Sequence, residues 1–418
     1  MRQVVVTGLG VVTAIGQGID EFGAALKAGR SGIKSVSTAM GLPLNSAALL
    51  TDFDVDTSLS KIGDMPDALY QRARAFTRRA PLPVQSSVVT AVEAWHQAQL
   101  TDAAVEASRI SLVVAGQNLN QRYGYDLQQK YHDTLEYLPP RYGVHFLDTD
   151  QVGVVSELLG IRGEGLTVGG ASASGNVGLI QGSRLIQWGV ADVCVVIGAM
   201  MDLSPLEVQA FQSLGALGGK TIREAEKACR PFDQAREGFI YGQGSGCLIL
   251  ENETLAKQRG IRPWAKLVGS GLALDGNRLT DPNATGEARA MKQALHAAEM
   301  SVADVEYINT HGTASLLGDE AEIAAIRELF GDTVSQVWLN STKSLTGHCL
   351  SAAGVVEAIA TLIQMKEGFV HPNLNLDQPL DKRCRFAGRE SQPAAITIAL
   401  SNSFGFGGIN SSIVLRNG

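Results

Sequence analysis

The sequence predicts an α/β protein. Three observations carry that prediction: strand-like and helix-like patterns alternate along the chain, several apolar runs are continuous rather than alternating, and the two ends of the chain echo one another. Continuous β-branched runs suit strands covered by helices on both faces. Val4-Val5-Val6 opens the series and is expected to end at Thr7-Gly8. Residues 111–114 run into Ala115-Gly116, residues 193–197 into Gly198, and 247–250, 307–309 and 396–400 read alike. Between them, Ile323, Ile326 and Leu329 give helical spacing over 318–330 with Gly331 as a stop, and 352–366 reads as an apolar helix ended by Gly368. The echo pairs VTGLGVVTAIG with ITIALSNSFGFGG, and LTVGGASASGN with YINTHGTASLLGDE. A duplicated fold explains it, with a boundary near 251–257 that divides the chain into 1–254 and 255–418; ordinary α/β repetition is the alternative. Residues 117–152 are rich in aromatics and lack a clear period, so they are expected to form a long irregular segment, either a lid or dimer flap or a plain surface insertion.

Composition narrows the function classes. Of 418 residues, 45% are hydrophobic and 18% charged, enough for a large buried core. A net charge of -7 argues against non-specific nucleic-acid binding. No run reaches the roughly 18 apolar residues of a membrane span, and MRQVVVTGLG lacks the layout of a secretion signal, so a cytoplasmic protein without membrane attachment is expected. The five cysteines (Cys194, Cys229, Cys247, Cys349 and Cys384) are widely spaced with no CxxC, which supports neither a disulfide framework nor a metal site; they read as small buried hydrophobes.

Four segments can carry chemistry. Gly169-Gly170-Ala171-Ser172-Ala173-Ser174-Gly175 turns from a strand into a helix, where free N–H groups favour an anion or a developing oxyanion. Asn309-Thr310-His311-Gly312-Thr313 follows a strand end, with Asp319 and Glu322 loosely adjacent on the next helix. Ser341-Thr342-Lys343-Ser344-Leu345-Thr346-Gly347-His348 places a lysine and a second histidine at the entry to an apolar helix; it is not a phosphate loop, because GxxxxGK[ST] is absent. Ser401 to Asn410, SNSFGFGGIN, sets Phe404 and Phe406 among Gly405, Gly407 and Gly408, a composition for a tight loop that approaches other backbone closely. Taken singly, each segment also reads as ordinary structure.

The order and text of these segments resemble a β-ketoacyl-acyl carrier protein synthase of the thiolase superfamily over nearly the whole chain, from VVVTGLGVVTAIG through RPFDQAREGFIYGQGSGCLILE to SNSFGFGGINSS. The resemblance implies a thiolase-like five-layered αβαβα fold of two pseudo-duplicated halves, and a homodimer. It matches His311 and His348 to the family's two histidines, Lys343 to its lysine, Glu322 to its glutamate and Phe406 to its gating phenylalanine, whose N–H would join that of Ser172 in an oxyanion hole. Where the family carries a nucleophilic cysteine, this chain has Ser172. Ile409, Gln243 and the segment LEYLPPRYGVHFLDTD depart as well.

The serine bears on mechanism. A thiol ionises near pH 8.5 and a helix N-terminus lowers that value, whereas a serine hydroxyl needs a positioned base. Condensation through Ser172 is therefore expected to be severely impaired. Decarboxylation of a malonyl thioester needs only donors at the thioester oxygen and an apolar setting for the carboxylate, which His311, His348, Phe404 and Phe406 can supply. The text resembles the serine-containing synthase homologues that convert malonyl-carrier protein to acetyl-carrier protein for a hydroxymethylglutaryl-CoA-synthase-like partner in polyketide β-branching. A condensing synthase and a catalytically silent chain-length-factor-like partner are the alternatives. No cofactor is expected, since the substrate rides on the phosphopantetheine arm of an acyl carrier protein. Arg72, Arg74, Arg78 and Arg79 form a basic cluster that reads either as a docking patch for that acidic partner or as a solvated helix face.

Overall fold

Apolar runs that are buried on both faces become the strands of one large sheet. The computed structural model describes residues 1–37 and 41–418. The principal strands are β1 (Val4–Thr13), β2 (Ile110–Ala115), β3 (Gly165–Val168), β4 (Val193–Gly198), β5 (Gly244–Asn252), β6 (Ala265–Leu274), β7 (Tyr307–Asn309), β8 (Trp338–Asn340), β9 (Ile398–Gly405) and β10 (Ile409–Asn417). Their spatial order is β8-β7-β9-β10-β6-β1-β5-β4-β2-β3. Read outward from the centre, the first half runs β1-β5-β4-β2-β3 and the second β6-β10-β9-β7-β8. Strand for strand, this is the same order, and it has the same sequence of two antiparallel and then two parallel pairings. The echo in the sequence is thus a repeated topology. The halves are joined where Val4, Val5 and Val6 pair with Leu267, Lys266 and Ala265.

Helices cover the strands in five layers. Helix α1 (Leu82–Gln97) packs outside β1 and β5, and α3 (Ala284–Ala297) packs outside β6 and β10 with α4 (Leu316–Phe330) beside it. Between the halves lie α2 (Ser174–Gln187) and α5 (Ala353–Glu367). A helix in that middle layer has no wet face. Accordingly, every residue of α5 from Ala353 to Met365 is buried, and Val355, Val356 and Ile359 share one core with Leu9, Val11 and Leu179 of the first half and Ile413 of the second.

Two expectations are corrected. Strand β1 does not end at Thr7-Gly8 but continues, fully buried, to Thr13 across a bulge between Val6 and Gly8. Gly8 and Gly10 are there for close packing: a Cβ on either would lie 2.1 or 2.0 Å from the carbonyl oxygens of Ala94 and Thr90 on α1. Residues 117–152 are not irregular. They hold helices Gln121–Tyr131 and Tyr142–His145 and the start of Thr149–Leu159. Tyr142 stacks on Phe146, Tyr123 meets His145 edge-on, and His145 Nδ1 lies 2.7 Å from Asp150. The flanking helices come out close to expectation, each shifted by a residue or two, and all five cysteines are buried.

Candidate active site

Parallel strands in α/β folds gather ligands beyond their carboxyl ends, and here the loops leaving β2, β3, β4, β7, β8 and β9 converge. They enclose a cavity of about 440 Å³ whose lining includes Ser172, His311, His348, Phe404 and Phe406. Both halves contribute to it.

The loop after β3 is a tight turn. Ala171 adopts φ 49°, a left-handed conformation that a residue with a Cβ rarely takes. Ser174 holds the turn closed: its hydroxyl accepts from Gly170 N at 2.9 Å and donates to the Ala171 carbonyl at 2.7 Å. Both serines line the cavity, but Ser172, in the short turn leading into α2, is the partly exposed one, while Ser174 is buried. The loop after β9 lies directly against this turn, since a Cβ on Gly405 would sit 2.3 Å from the Gly170 carbonyl. Phe406 is therefore carried over Ser172's side of the cavity, half-exposed, with its ring 6.5 Å from that of Phe211. Gly407 and Gly408 then turn the chain back at φ 86° and 71°.

The histidines are fixed from behind. Glu322 on α4 accepts from the backbone N–H of His311 at 2.8 Å and of Gly312 at 2.7 Å, and Asn402 donates to the same carboxylate at 3.2 Å. Asp319, one turn earlier, accepts from Phe232 N and Ala314 N. The two acids thus cap a single loop. Burial raises both carboxyls, Asp319 to about 7. Lys343, 1% exposed, donates to the His311 carbonyl, approaches His311 Nδ1 at 3.4 Å and forms an ion pair with Glu357 of α5. Burial drives Glu357 up to about 7 against the pull of Lys343. The His311 and His348 rings meet edge-on at 5.6 Å, and Phe404 lies edge-on to His311 at 5.7 Å.

These contacts decide the tautomers. A neutral imidazole has one donor and one acceptor nitrogen. Burial, Lys343 and the neighbouring imidazole push His311 well below its ordinary pKa, and burial and Lys343 do the same to His348, so both rings are neutral. His348 Nδ1 accepts from Leu350 N at 3.3 Å, which puts its proton on Nε2, 2.8 Å from Ser172 Oγ. His311 Nδ1 faces the Lys343 ammonium, a donor only, which puts its proton on Nε2 as well. Two N–H donors therefore point into one cavity walled by phenylalanines, a setting in which charge developing on an oxygen is strongly stabilised.

The sequence matches this architecture at full length. The family description "Beta-ketoacyl synthase, N-terminal domain" matches residues 1–256, and "Beta-ketoacyl synthase, C-terminal domain" matches 264–377. The chain belongs to the β-ketoacyl synthase family. Among curated proteins, the chain is 42% identical to the polyketide biosynthesis malonyl-ACP decarboxylase PksF of Bacillus subtilis, over all of this chain and 97% of that one. It is 32% identical to the 3-oxoacyl-[acyl-carrier-protein] synthase 2 of Coxiella burnetii, over 99% and 98% of the two chains. Among solved structures, it superposes with a TM-score of 0.88 at 29% identity on a β-ketoacyl synthase from Burkholderia phymatum, covering both chains fully. It also superposes at 0.87 and 26%, again over both chains, on a structure described as a type II polyketide acyl-carrier protein in complex with its ketosynthase bound to the hexaketide. The thiolase-like fold of two similar halves expected from the sequence is the fold found.

The cavity brings together Ser172, His311, His348, Phe404, Phe406 and Gly408. Lys343 and Glu322 stand behind it, and Gly407 belongs to the adjoining turn. The arginine cluster lies elsewhere, on helix Asp67–Thr77 and just beyond it. Arg72 donates to the Glu157 carbonyl and Arg74 pairs with Asp56 at 2.6 Å, while Arg78 and Arg79 are exposed. Two site residues escaped the sequence reading. Glu357 had a signal, the one charge within the apolar stretch 353–365, which as a rule means a buried and paired charge. Glu287, buried at the cavity wall, had none: NATGEARAMKQ reads as a surface helix.

Proposed function

We propose that this synthase-family chain decarboxylates malonyl-acyl carrier protein to acetyl-acyl carrier protein, with Ser172 at the position where condensing relatives carry cysteine. The observation that carries the proposal is the hydrogen bonding of His348. With Nδ1 occupied by the Leu350 N–H, Nε2 is a donor toward Ser172 Oγ and cannot accept its proton. A serine without a base is a poor nucleophile, so acyl transfer, the first step of condensation, lacks its driving group. Decarboxylation keeps everything it needs. A malonyl thioester in the cavity presents its carbonyl oxygen to the Nε2–H groups of His311 and His348. As the bond to the carboxylate breaks, the electron pair moves toward that oxygen as an enolate while carbon dioxide leaves. The edge of Phe404 and the ring of Phe406 give the carboxylate an apolar setting. The 42% identity to a protein named as a malonyl-ACP decarboxylase supports the same reading.

Within this proposal the acyl carrier protein presents the substrate on its phosphopantetheine arm. The acetyl product feeds a hydroxymethylglutaryl-CoA-synthase-like enzyme in polyketide β-branching, in keeping with the polyketide setting of that relative. The chain is read as a homodimer. Strand β3 ends the sheet, and Leu135, Tyr137, Phe146 and Leu147 of the adjoining segment are exposed. Incubating the purified chain with malonyl-carrier protein and following the carrier's mass together with released carbon dioxide tests the activity. Acetyl-carrier protein is expected from the chain alone. No carbon dioxide release, or a condensed product once an acyl donor is added, would overturn it.

A further inference from the structure

Condensation and decarboxylation part company after carbon dioxide leaves. A condensing enzyme keeps the enolate carbon free to attack an acyl group, whereas a decarboxylase has to put a proton on that same carbon. A carboxyl group lies at the cavity wall. Glu287, in the first turn of α3, is 1% exposed, and its Oε2 has no hydrogen-bond partner among the described residues. It nevertheless lines the same cavity as Ser172, His311 and His348. Continuous contact links it to the histidines. The His311 ring abuts Phe404, Phe404 pairs across the strands with Asn410, and Asn410 Nδ2 donates to Asp275 Oδ1 at 2.7 Å. Asp275 is pressed against Gly286, the neighbour of Glu287, so closely that a Cβ there would lie 1.6 Å from Oδ1. One turn along α3, Met291 shares the Asn402 amide with Glu322, the acid that holds the His311 backbone.

The charges that act on Glu287 are acidic: Glu322 and Asp319 on α4, and Asp275 after β6. A carboxylate buried with one oxygen unpartnered among three other acids is heavily penalised, while the neutral acid fits. Burial and then those acids hold its carboxyl well above the usual carboxylate range, which favours the protonated acid.

We propose that Glu287 is the proton donor that quenches the enolate, an inference that rests on the decarboxylase reading. The bond from the malonyl carbon to its carboxylate breaks and carbon dioxide leaves. The enolate collapses back to the thioester as its carbon takes the proton from the Glu287 carboxyl, forming the third C–H bond of acetyl and leaving a carboxylate. A proton from solvent, entering by the cavity mouth, restores the acid. Overall, a malonyl thioester carboxylate and one proton become an acetyl thioester and carbon dioxide.

A donor fixed to the protein delivers to one face of the enolate. The test uses the full chain and malonyl-carrier protein tritiated stereospecifically at the methylene carbon, turned over in heavy water, with the handedness of the acetyl methyl group read out. Wild type is expected to give one handedness. Glu287→Gln, close to isosteric and neutral like the acid it replaces, is expected to release carbon dioxide but to give a racemic methyl group, and Glu287→Asp to recover part of the bias. Glu287→Met gives the same reading should the amide not fold. A racemic product from wild type, or retained handedness in the variants, would overturn the proposal while leaving the decarboxylase reading intact. Absence of carbon dioxide from wild type would instead defeat that reading.

Discussion

Replacing Lys343 with methionine removes a charge but little volume, and the structure fixes what should follow. Lys343 is the partner of Glu357, which is buried at 2% exposure in the middle helix layer, and the donor that faces His311 Nδ1. Breaking a buried ion pair from one side costs about 3–5 kcal/mol, because the orphaned charge has no water to turn to. Glu357 can escape part of that cost by taking up a proton. Its carboxyl already stands at about 7 with Lys343 beside it, and Lys343 is the group that lowers it, so the variant's value is higher still. The sign follows from linkage. Between the wild-type and variant values the variant binds the extra proton in its folded state, so the stability gap between the two proteins widens as pH rises through 7. Denaturant unfolding at pH 6 and pH 8.5 should show a loss of about 3–5 kcal/mol at the higher pH and a smaller loss at the lower one. Activity should fall as well. Without a donor at Nδ1, His311 is free to carry its proton there and withdraw it from the cavity, which is equivalent to losing one oxyanion donor, roughly 10²–10³-fold in kcat. A pH-independent gap, or a loss under about 1 kcal/mol, would refute the reasoning, since exposed pairs behave that way.

Other outcomes can be checked alongside. Ser172→Ala should keep decarboxylation within a few-fold, and mass spectrometry should find no acyl-protein in either form; abolished carbon dioxide release would make an acyl-serine obligatory. Gly286→Ala should destabilise the protein by about 1–3 kcal/mol in thermal or denaturant unfolding, because Asp275 must move to admit the methyl group. His311 and His348 have folded-state pKa values below 6.5, so the stability they carry is present above that pH and is lost as pH falls below it; an acid titration of unfolding free energy should decline through that window, and less steeply in His348→Gln. Arg78→Glu, at an exposed position, should raise KM for malonyl-carrier protein more than for a small malonyl thioester; equal effects would remove the arginines from carrier docking.

The sequence showed most of the site because its chemistry is local to four short segments, each at or after a strand end, and family resemblance supplied their spatial meeting. What it hid was hidden by physical ambiguity. Gly8 and Gly10 look like strand breakers, yet they sit inside a ten-residue strand because α1 packs its carbonyls against them. Only the partner element distinguishes a glycine that ends a strand from one that admits a helix. Residues 117–152 fold as helices whose buried contacts are aromatic and few, so no apolar stripe announces them. Glu287 is indistinguishable in sequence from the solvated acids around it. Its burial comes from Asp275 and the loop 404–410 closing over the start of α3, contacts made between residues far apart in the chain.

The repeated strand order also says something about how the protein holds together. The ladder that joins the halves directly is three residue pairs long, while the cavity is walled by both: Ser172 comes from the first half, and His311, His348 and Phe404 from the second. A molecule seated there acts as a rivet through the seam. Its binding free energy raises the stability of both halves together by RT ln(1 + [L]/Kd), about 2.7 kcal/mol at a hundredfold excess over Kd. Occupancy and mechanical integrity are therefore coupled. A ligand that enters between the halves fastens them while it is bound, and releases them when it departs.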